Sequence, residues 1–468
     1  MTMTAALGDA TVAELRSAVA GTVIVPGDPD YELARRIWNH AIDRYPAIIV
    51  RCTGTADVVA GVRFARSEGM PIAVRGGKHS VAGFSTCDDG LVLDLTPMSA
   101  VQVDVSTSRA RAQGGATWKQ FDRETQLYGL ATTGGLVSST GLGGFTLGGG
   151  IGHLVRKHGL TCDNLISADV VNADAQIVRA SVEENADLFW ALRGGGGNFG
   201  VVTSMELAVH PIGPTVLGGA IFYPGDQAAQ VMSGWRDAIT DAPDELTTTL
   251  NLIGAAPPLP FLPGAVHGTR VAVVIACYAG ELDKGEAAVS AFRRLGDPIA
   301  DILAPIPYLA LQQLVDPLWE AGAANYFTSV FLDGLPDQAV DTLVEAQGRS
   351  APPPATSELH VHQLGGAVCR VHENSTAFSH RQSPFLLNCV GRTQDPADLA
   401  SVAEWARRTR EDMSRFGGGP DVNFTAEGGA ERAAYPQQTY ARLADVKRRY
   451  DPDNIFRFNQ NISPTSED

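Results

Sequence analysis

Residues 71–85 read Pro71-Ile72-Ala73-Val74-Arg75-Gly76-Gly77-Lys78-His79-Ser80-Val81-Ala82-Gly83-Phe84-Ser85. The short apolar run Ile72 to Val74 predicts a buried strand that stops at Arg75-Gly76-Gly77. Two adjacent glycines permit positive φ and let backbone N–H groups converge on one concavity, which binds anions and above all a pyrophosphate. His79 and Ser80 project from that loop, and Gly83 permits a second tight bend. Taken alone, the same residues also read as a glycine turn carrying a surface histidine.

Working outward, 468 residues exceed what one hydrophobic core sustains, so two domains are expected. With 44% hydrophobic and 19% charged residues, the chain has the profile of a globular enzyme. Its 50 glycines follow no collagen-like period, so tight turns and close backbone approaches are numerous. A formal charge of −16 argues against nucleic acid and anionic membranes as partners, because both need a basic surface. The six cysteines are scattered without a Cys-x-x-Cys pair, so neither a structural zinc site nor a redox dithiol is expected, and no metal. No segment is apolar for long enough to cross a membrane, and residues 1–20 carry no export signal; the expectation is a cytoplasmic protein.

Along the chain, Thr55 to Glu68 has helical spacing at Val58, Val62 and Ala65, and leads into the strand at 71–74. Leu91 to Leu95 is a further strand, and Val101 to Arg111 alternates like one half-buried strand. Thr132 to His153 holds so many glycines, at roughly 1 kcal/mol each against alanine, that an ordinary helix or strand interior is not expected there. Ile166 to Asn172 and Gln176 to Ala180 read as a strand pair. Beyond Pro211-Ile212-Gly213-Pro214, strand candidates alternate with helices as in an antiparallel sheet backed by helices. Gly417-Gly418-Gly419-Pro420 marks a second boundary, and the aromatic, amide-rich close Phe456 to Asn461 predicts a tail that docks. The class is α+β, divided as 1–212, 213–419 and 420–468.

Four blocks now stand in order: Arg75 to Ser80, Gly134 to Gly152, Leu188 to Thr203 and Tyr450 to Gln460. On these the chain resembles the berberine-bridge-enzyme-like branch of the vanillyl-alcohol oxidase and p-cresol methylhydroxylase superfamily. The resemblance implies a two-domain PCMH-type fold, with an FAD domain built from both chain ends and a substrate domain between them. It implies that His79 carries the flavin through its C8-methyl group. It also implies cofactor contacts from Arg75, Gly76, Gly77, Lys78, Ser80 and Gly83, and from Gly135, Val137, Ser138 and Thr140. Gly141, Gly143, Gly144, Gly148, Gly149 and Gly152 extend that set, as do Asn198, Gly200, Val201 and Val202, and finally Asn459 and Gln460. Many relatives bind FAD twice, with a cysteine where this chain has Val137. One covalent bond, through His79, is therefore expected.

In such a protein a substrate C–H gives hydride to flavin N5 while a base takes a proton from an adjacent O–H or N–H. Glu358, His360 and His362 alternate with Leu359 and Val361, so a strand puts all three on one face, where a near-neutral imidazole suits proton abstraction. The same three also read as a solvated polar face, and a metal site through His360 and His362 lacks an evident third ligand. Asp421 stands where many relatives have a tyrosine near the flavin. Tyr435 is the candidate to compensate, or a packed tyrosine at a helix start. His153 and His158 read as structural. Tyr308, Trp319, Tyr326, Phe327 and Phe331 read equally as pocket wall or core.

The expected function is an FAD-dependent oxidase acting on a small or medium alcohol, amine or phenolic secondary metabolite, with dioxygen as acceptor and hydrogen peroxide as product. The alternatives are an oligosaccharide oxidase, an oxygen-insensitive flavin dehydrogenase and a non-catalytic flavin-binding protein. Nicotinamide chemistry is not expected, because no Gly-x-Gly-x-x-Gly follows a strand with an acidic residue about 20 positions on.

Overall fold

Apolar strands in three separate stretches of the chain produce the three larger sheets among the described residues. The computed structural model describes residues 8–353 and 355–465. Residues 1–7, on which the expectation about export partly rests, lie outside that range, as does Pro354 of the proline loop at 352–354. Strands Thr22–Ile24 (β1), Ile48–Arg51 (β2), Ile72–Arg75 (β3) and Leu91–Asp94 (β4) form the first sheet in the order β1-β2-β4-β3, with β2 and β3 parallel to β4. The helix Thr55–Ser67 connects β2 to β3 and buries Val58, Val62 and Ala65, the residues whose spacing predicts it.

Val101–Asp104 (β5), Arg109–Gln113 (β6), Leu165–Val171 (β8), Ile177–Ser181 (β9) and Val201–Ala208 (β10) make an antiparallel second sheet, ordered β5-β6-β10-β8-β9. Leu130–Ala131 (β7) and His210–Pro211 (β11) pair beside it. The single strand expected over 101–111 is thus a hairpin. Asp104 turns the chain by accepting from the Ser106 backbone N–H (3.0 Å) and from the hydroxyls of Ser106 (2.6 Å) and Thr107 (2.8 Å), a local acceptor turn that needs no glycine. The glycine block also differs from expectation, because Leu142–Leu147 is helical. Leu142, Thr146 and Leu147 are buried there, and tertiary packing outweighs the cost of Gly143 and Gly144.

The third sheet takes Thr215–Pro224 (β12), Leu246–Ile253 (β13), Val271–Tyr278 (β14), Ala300–Asp301 (β15), Ala304–Pro307 (β16), Ala324–Leu332 (β17), Thr356–Gln363 (β18) and Phe385–Thr393 (β19). Its order is β15-β12-β14-β13-β18-β19-β17, with β16 also on β12, and every pairing is antiparallel. Helices Ala228–Ala238, Leu282–Val289, Asp337–Gly348 and Leu399–Met413 back one face, burying Leu250, Val274, Leu359, Val361 and Leu387 in the largest apolar cluster. The α+β class and the helix-backed antiparallel sheet are as expected. The opposite face of this sheet is left to the site.

The tail docks. Helix Gln437–Tyr450 ends on a fully buried Lys447–Asp451 pair (2.6 Å), and Lys447 Nζ also donates to Asn198 O (2.7 Å) and Phe456 O (3.0 Å). No helix among the described residues is long and apolar enough to cross a membrane.

Candidate active site

Between the first two sheets and the free face of the third lies a cavity of about 380 Å³. Its floor comes from glycine loops. Gly76, Gly77, Lys78, His79 and Ser80 follow β3, and Gly135, Val137, Thr140, Gly141, Gly143, Gly144 and Gly148 follow from the second block. The two loops touch at the backbone: a Cβ on Gly77 would lie 2.2 Å from Gly141 N. Gly144 and Gly197 differ, because a Cβ there would meet no protein atom within 4 Å, although both line the cavity. Protein packing accounts for glycine at 77 and 141; at 144 and 197 only the cavity does. Gly200, Val202, Asn459 and Gln460 complete this side, with Asn459 Oδ1 and Gln460 Oε1 buried and unpaired.

Not every expected contact faces the cavity. Arg75 is wholly buried, donates to Ser85 O (3.0 Å) and lies 3.7 Å from Asp94. Ser138 binds Asp316 through its N–H (2.8 Å) and its hydroxyl. Gly83, Gly149 and Gly152 are packed against Ile42, Phe378 and Gly134. Asn198 ties the glycine run to the tail through Gly195 O (2.9 Å) and Gln460 O (3.1 Å), and Val201 lies in the core of the first sheet. These seven support the lining.

His79 stands at one end of the cavity. Its Nε2 lies 2.8 Å from Ser139 Oγ, and Trp38 stacks on the ring with centroids 4.9 Å apart. Apart from its cavity edge the imidazole is enclosed, and burial drops its pKa to about 4, so it is neutral near pH 7.

The roof is a row across three strands. Asn251 pairs with His360, and His360 with Asn388. One step along, Thr249 pairs with His362. As the alternation predicts, Glu358, His360 and His362 share the face away from the helices. His360 Nε2 is 2.8 Å from Glu358 Oε2, and both His360 and His362 line the cavity, whereas Glu358 lies behind His360. His362 is held near pKa 3 by burial and by the neighbouring His360 and His153. Asn251 Oδ1, Asn388 Oδ1 and His362 Nε2 are buried without a protein partner. Leaving such an atom unpaired costs about 1–3 kcal/mol, so these cavity-lining atoms are open to a partner from a ligand or water. Among the described residues, no Asp, Glu or Arg lines the cavity, and no third ligand joins His360 and His362 in a metal-holding group.

Of the five aromatic wall candidates, Trp319 and Phe327 line the cavity; Tyr308, Tyr326 and Phe331 are packed elsewhere. Tyr435 reaches the lining, but its hydroxyl donates to Gly194 O (2.8 Å) and burial raises its pKa, so the phenol stays protonated. Asp421 is buried away from the cavity and caps Asn423 N (2.8 Å). Sequence reasoning missed Trp38, Asn251 and Asn388, and it read His153 as structural although His153 lines the cavity. His158 does lie apart from it, stacked on His210 at 3.9 Å.

Comparison with known proteins gives a consistent picture. Residues 46–181 match the FAD binding domain family model, and residues 421–463 match the model described as berberine and berberine like. An FAD-linked oxidoreductase of Dictyostelium discoideum is 31% identical over 459 residues, covering 97% of each chain. The (R)-6-hydroxynicotine oxidase of Paenarthrobacter nicotinovorans is 30% identical, covering 95% of this chain and 97% of its own. The crystal structure of 6-hydroxy-D-nicotine oxidase from Arthrobacter nicotinovorans superposes with a TM-score of 0.86 at 28% identity, covering 96% of this chain and 98% of that one.

Proposed function

Since the chain belongs to the berberine-bridge-enzyme-like FAD-linked oxidoreductases, we propose that it oxidises a small or medium uncharged alcohol, amine or phenol and passes the electrons to dioxygen. The cavity suits FAD. The open glycines Gly144 and Gly197 and the unpaired amide oxygens of Asn459 and Gln460 describe a cradle made for something other than protein. Gly76, Gly77, Lys78, Gly141 and Gly143 would hold its phosphates and ring, and His79 would carry its one covalent bond, since Val137 offers no thiol. Residues 1–212 and 420–468 form the FAD half on this reading, with 213–419 as the substrate half. Bound FAD supplies a two-electron acceptor at N5 and, with dioxygen, a route to hydrogen peroxide.

His360 is the base. With its Nε2–H held by the Glu358 carboxylate, the free lone pair lies on Nδ1, and the carboxylate stabilises the imidazolium formed when a substrate proton is taken. Asn251 and Asn388 flank His360 and orient polar groups on either side of the reacting carbon. Trp319 and Phe327 exclude water from that region. Glu358 lies behind His360 and no Asp, Glu or Arg among the described residues lines the cavity; this disfavours carboxylate and ammonium substrates, because charge moved out of water needs a direct partner. The relative named for 6-hydroxynicotine makes a hydroxylated nitrogen heterocycle one class to try.

The observation that carries this reading is the row Asn251–His360–Asn388 facing the glycine cradle. Anaerobic mixing with a panel of benzylic alcohols, amines and phenols tests it. At least one uncharged donor should bleach the flavin in wild type, and His360→Gln should slow that bleaching by about 10²–10⁴-fold. Bleaching at the same rate in both would reject His360.

A further inference from the structure

We infer that Ser139 positions His79 for attachment of the cofactor, and that the segment Asp316 to Trp319 clamps this arrangement. The inference rests on the reading of His79 as the attachment site. The Ser139 contact, at 2.8 Å, is the hydrogen bond that the His79 ring makes among the described residues. In the arrangement we infer, Ser139 Oγ accepts from Nε2–H, which leaves the lone pair on Nδ1. Both supports of the ring trace back to one short segment. Asp316 takes the N–H and hydroxyl of Ser138, which fixes the turn carrying Ser139. Three residues on, Trp319 O accepts from Trp38 Nε1 (2.8 Å), and Trp38 is the indole stacked on His79 with an interplanar angle of 20°. Attachment therefore waits until residues 316–319 are docked, so that a chain with an unassembled substrate half does not bond the cofactor.

The balance of the step is simple. One bond forms between Nδ1 and the C8-methyl carbon. The imidazole N–H and one methyl C–H are lost, and dioxygen takes those two protons and two electrons as hydrogen peroxide. Before Nε2–H departs the ring carries positive charge. Ser139 Oγ accepts that hydrogen bond, and the Asp316 carboxylate is bound to the neighbouring Ser138.

The test compares Ser139→Thr, which keeps the hydroxyl, with Ser139→Val, which has the same shape without it. Full-length chains from flavin-starved cells are mixed with FAD. Total bound flavin is read by absorbance, and covalent flavin by fluorescence of the acid-precipitated chain over time. Thr should attach at a rate close to wild type. Val should bind FAD yet attach at least about tenfold more slowly, the worth of one hydrogen bond, and Asp316→Asn should also attach more slowly than wild type. Equal rates for Thr and Val, or a Val variant that binds no FAD while Thr does, would overturn the inference. Wild type that binds FAD and never attaches it would instead reject the reading of His79.

Discussion

His360 and its two amide neighbours make separable contributions, and single substitutions should separate them. On the proposed reading, removing the imidazole takes away the base. Asn388→Ala, by contrast, removes a group that on this reading holds substrate in both ground and transition state. It should raise KM by about tenfold with little change in kcat, the signature of a lost uniform interaction worth roughly 1.4 kcal/mol. Steady-state peroxide release is the check, and an equal fall in kcat would place Asn388 in the chemical step instead. His360 was legible because its strand alternates with period two. Asn251 and Asn388 were not, because they reach His360 only through the pairing of β13 and β19 with β18. Nothing within either strand announces that register.

In the glycine loops, two substitutions of the same kind should behave oppositely. Gly77→Ala pushes a methyl group to 2.2 Å from Gly141 N and forces two backbones apart. It should cost about 1–3 kcal/mol and lower the melting temperature even without cofactor. Gly144→Ala sits in the helix Leu142–Leu147 with open space before it. It should stabilise the cofactor-free chain by up to about 1 kcal/mol while weakening retention of FAD, since its methyl group occupies the cradle. Melting curves with and without FAD would show the crossing, and parallel shifts would contradict it. The glycine block was recognisable as a place where backbone approaches something. That it contains a helix was not, because local glycine cost gives no measure of the packing on Leu142, Thr146 and Leu147. The hairpin at Asp104 was hidden for a similar reason, a side-chain turn in place of a glycine one.

The assembled molecule buries ionisable groups from distant segments, and this gives stability a pH dependence with a definite sign. Burial holds His153 near 4, and His158 and His362 near 3, against 6.5 when unfolded. Between those values the unfolded chain binds more protons, so stability falls as pH drops from 6.5 towards 4. Asp122 and Asp421, raised by burial to about 7, act with the opposite sign as pH rises from 3.8 towards 7. With His79, which burial also holds near 4, four histidines outweigh two carboxyls over the shared window, so the melting temperature should fall on acidification below pH 6.5, and less steeply in His362→Gln. A curve flat from pH 6.5 to 4.5 would contradict this. At the same scale, the sequence resemblance implied a cofactor held by both chain ends, while the clamp proposed for 316–319 depends on contacts across 178 and 281 residues and left no local trace. The most direct test of the whole account is peptide mapping of the acid-precipitated wild-type chain. One fluorescent peptide should appear, containing His79 and heavier by one FAD less two hydrogens. A His79 peptide of unmodified mass, with all flavin in the supernatant, would contradict it.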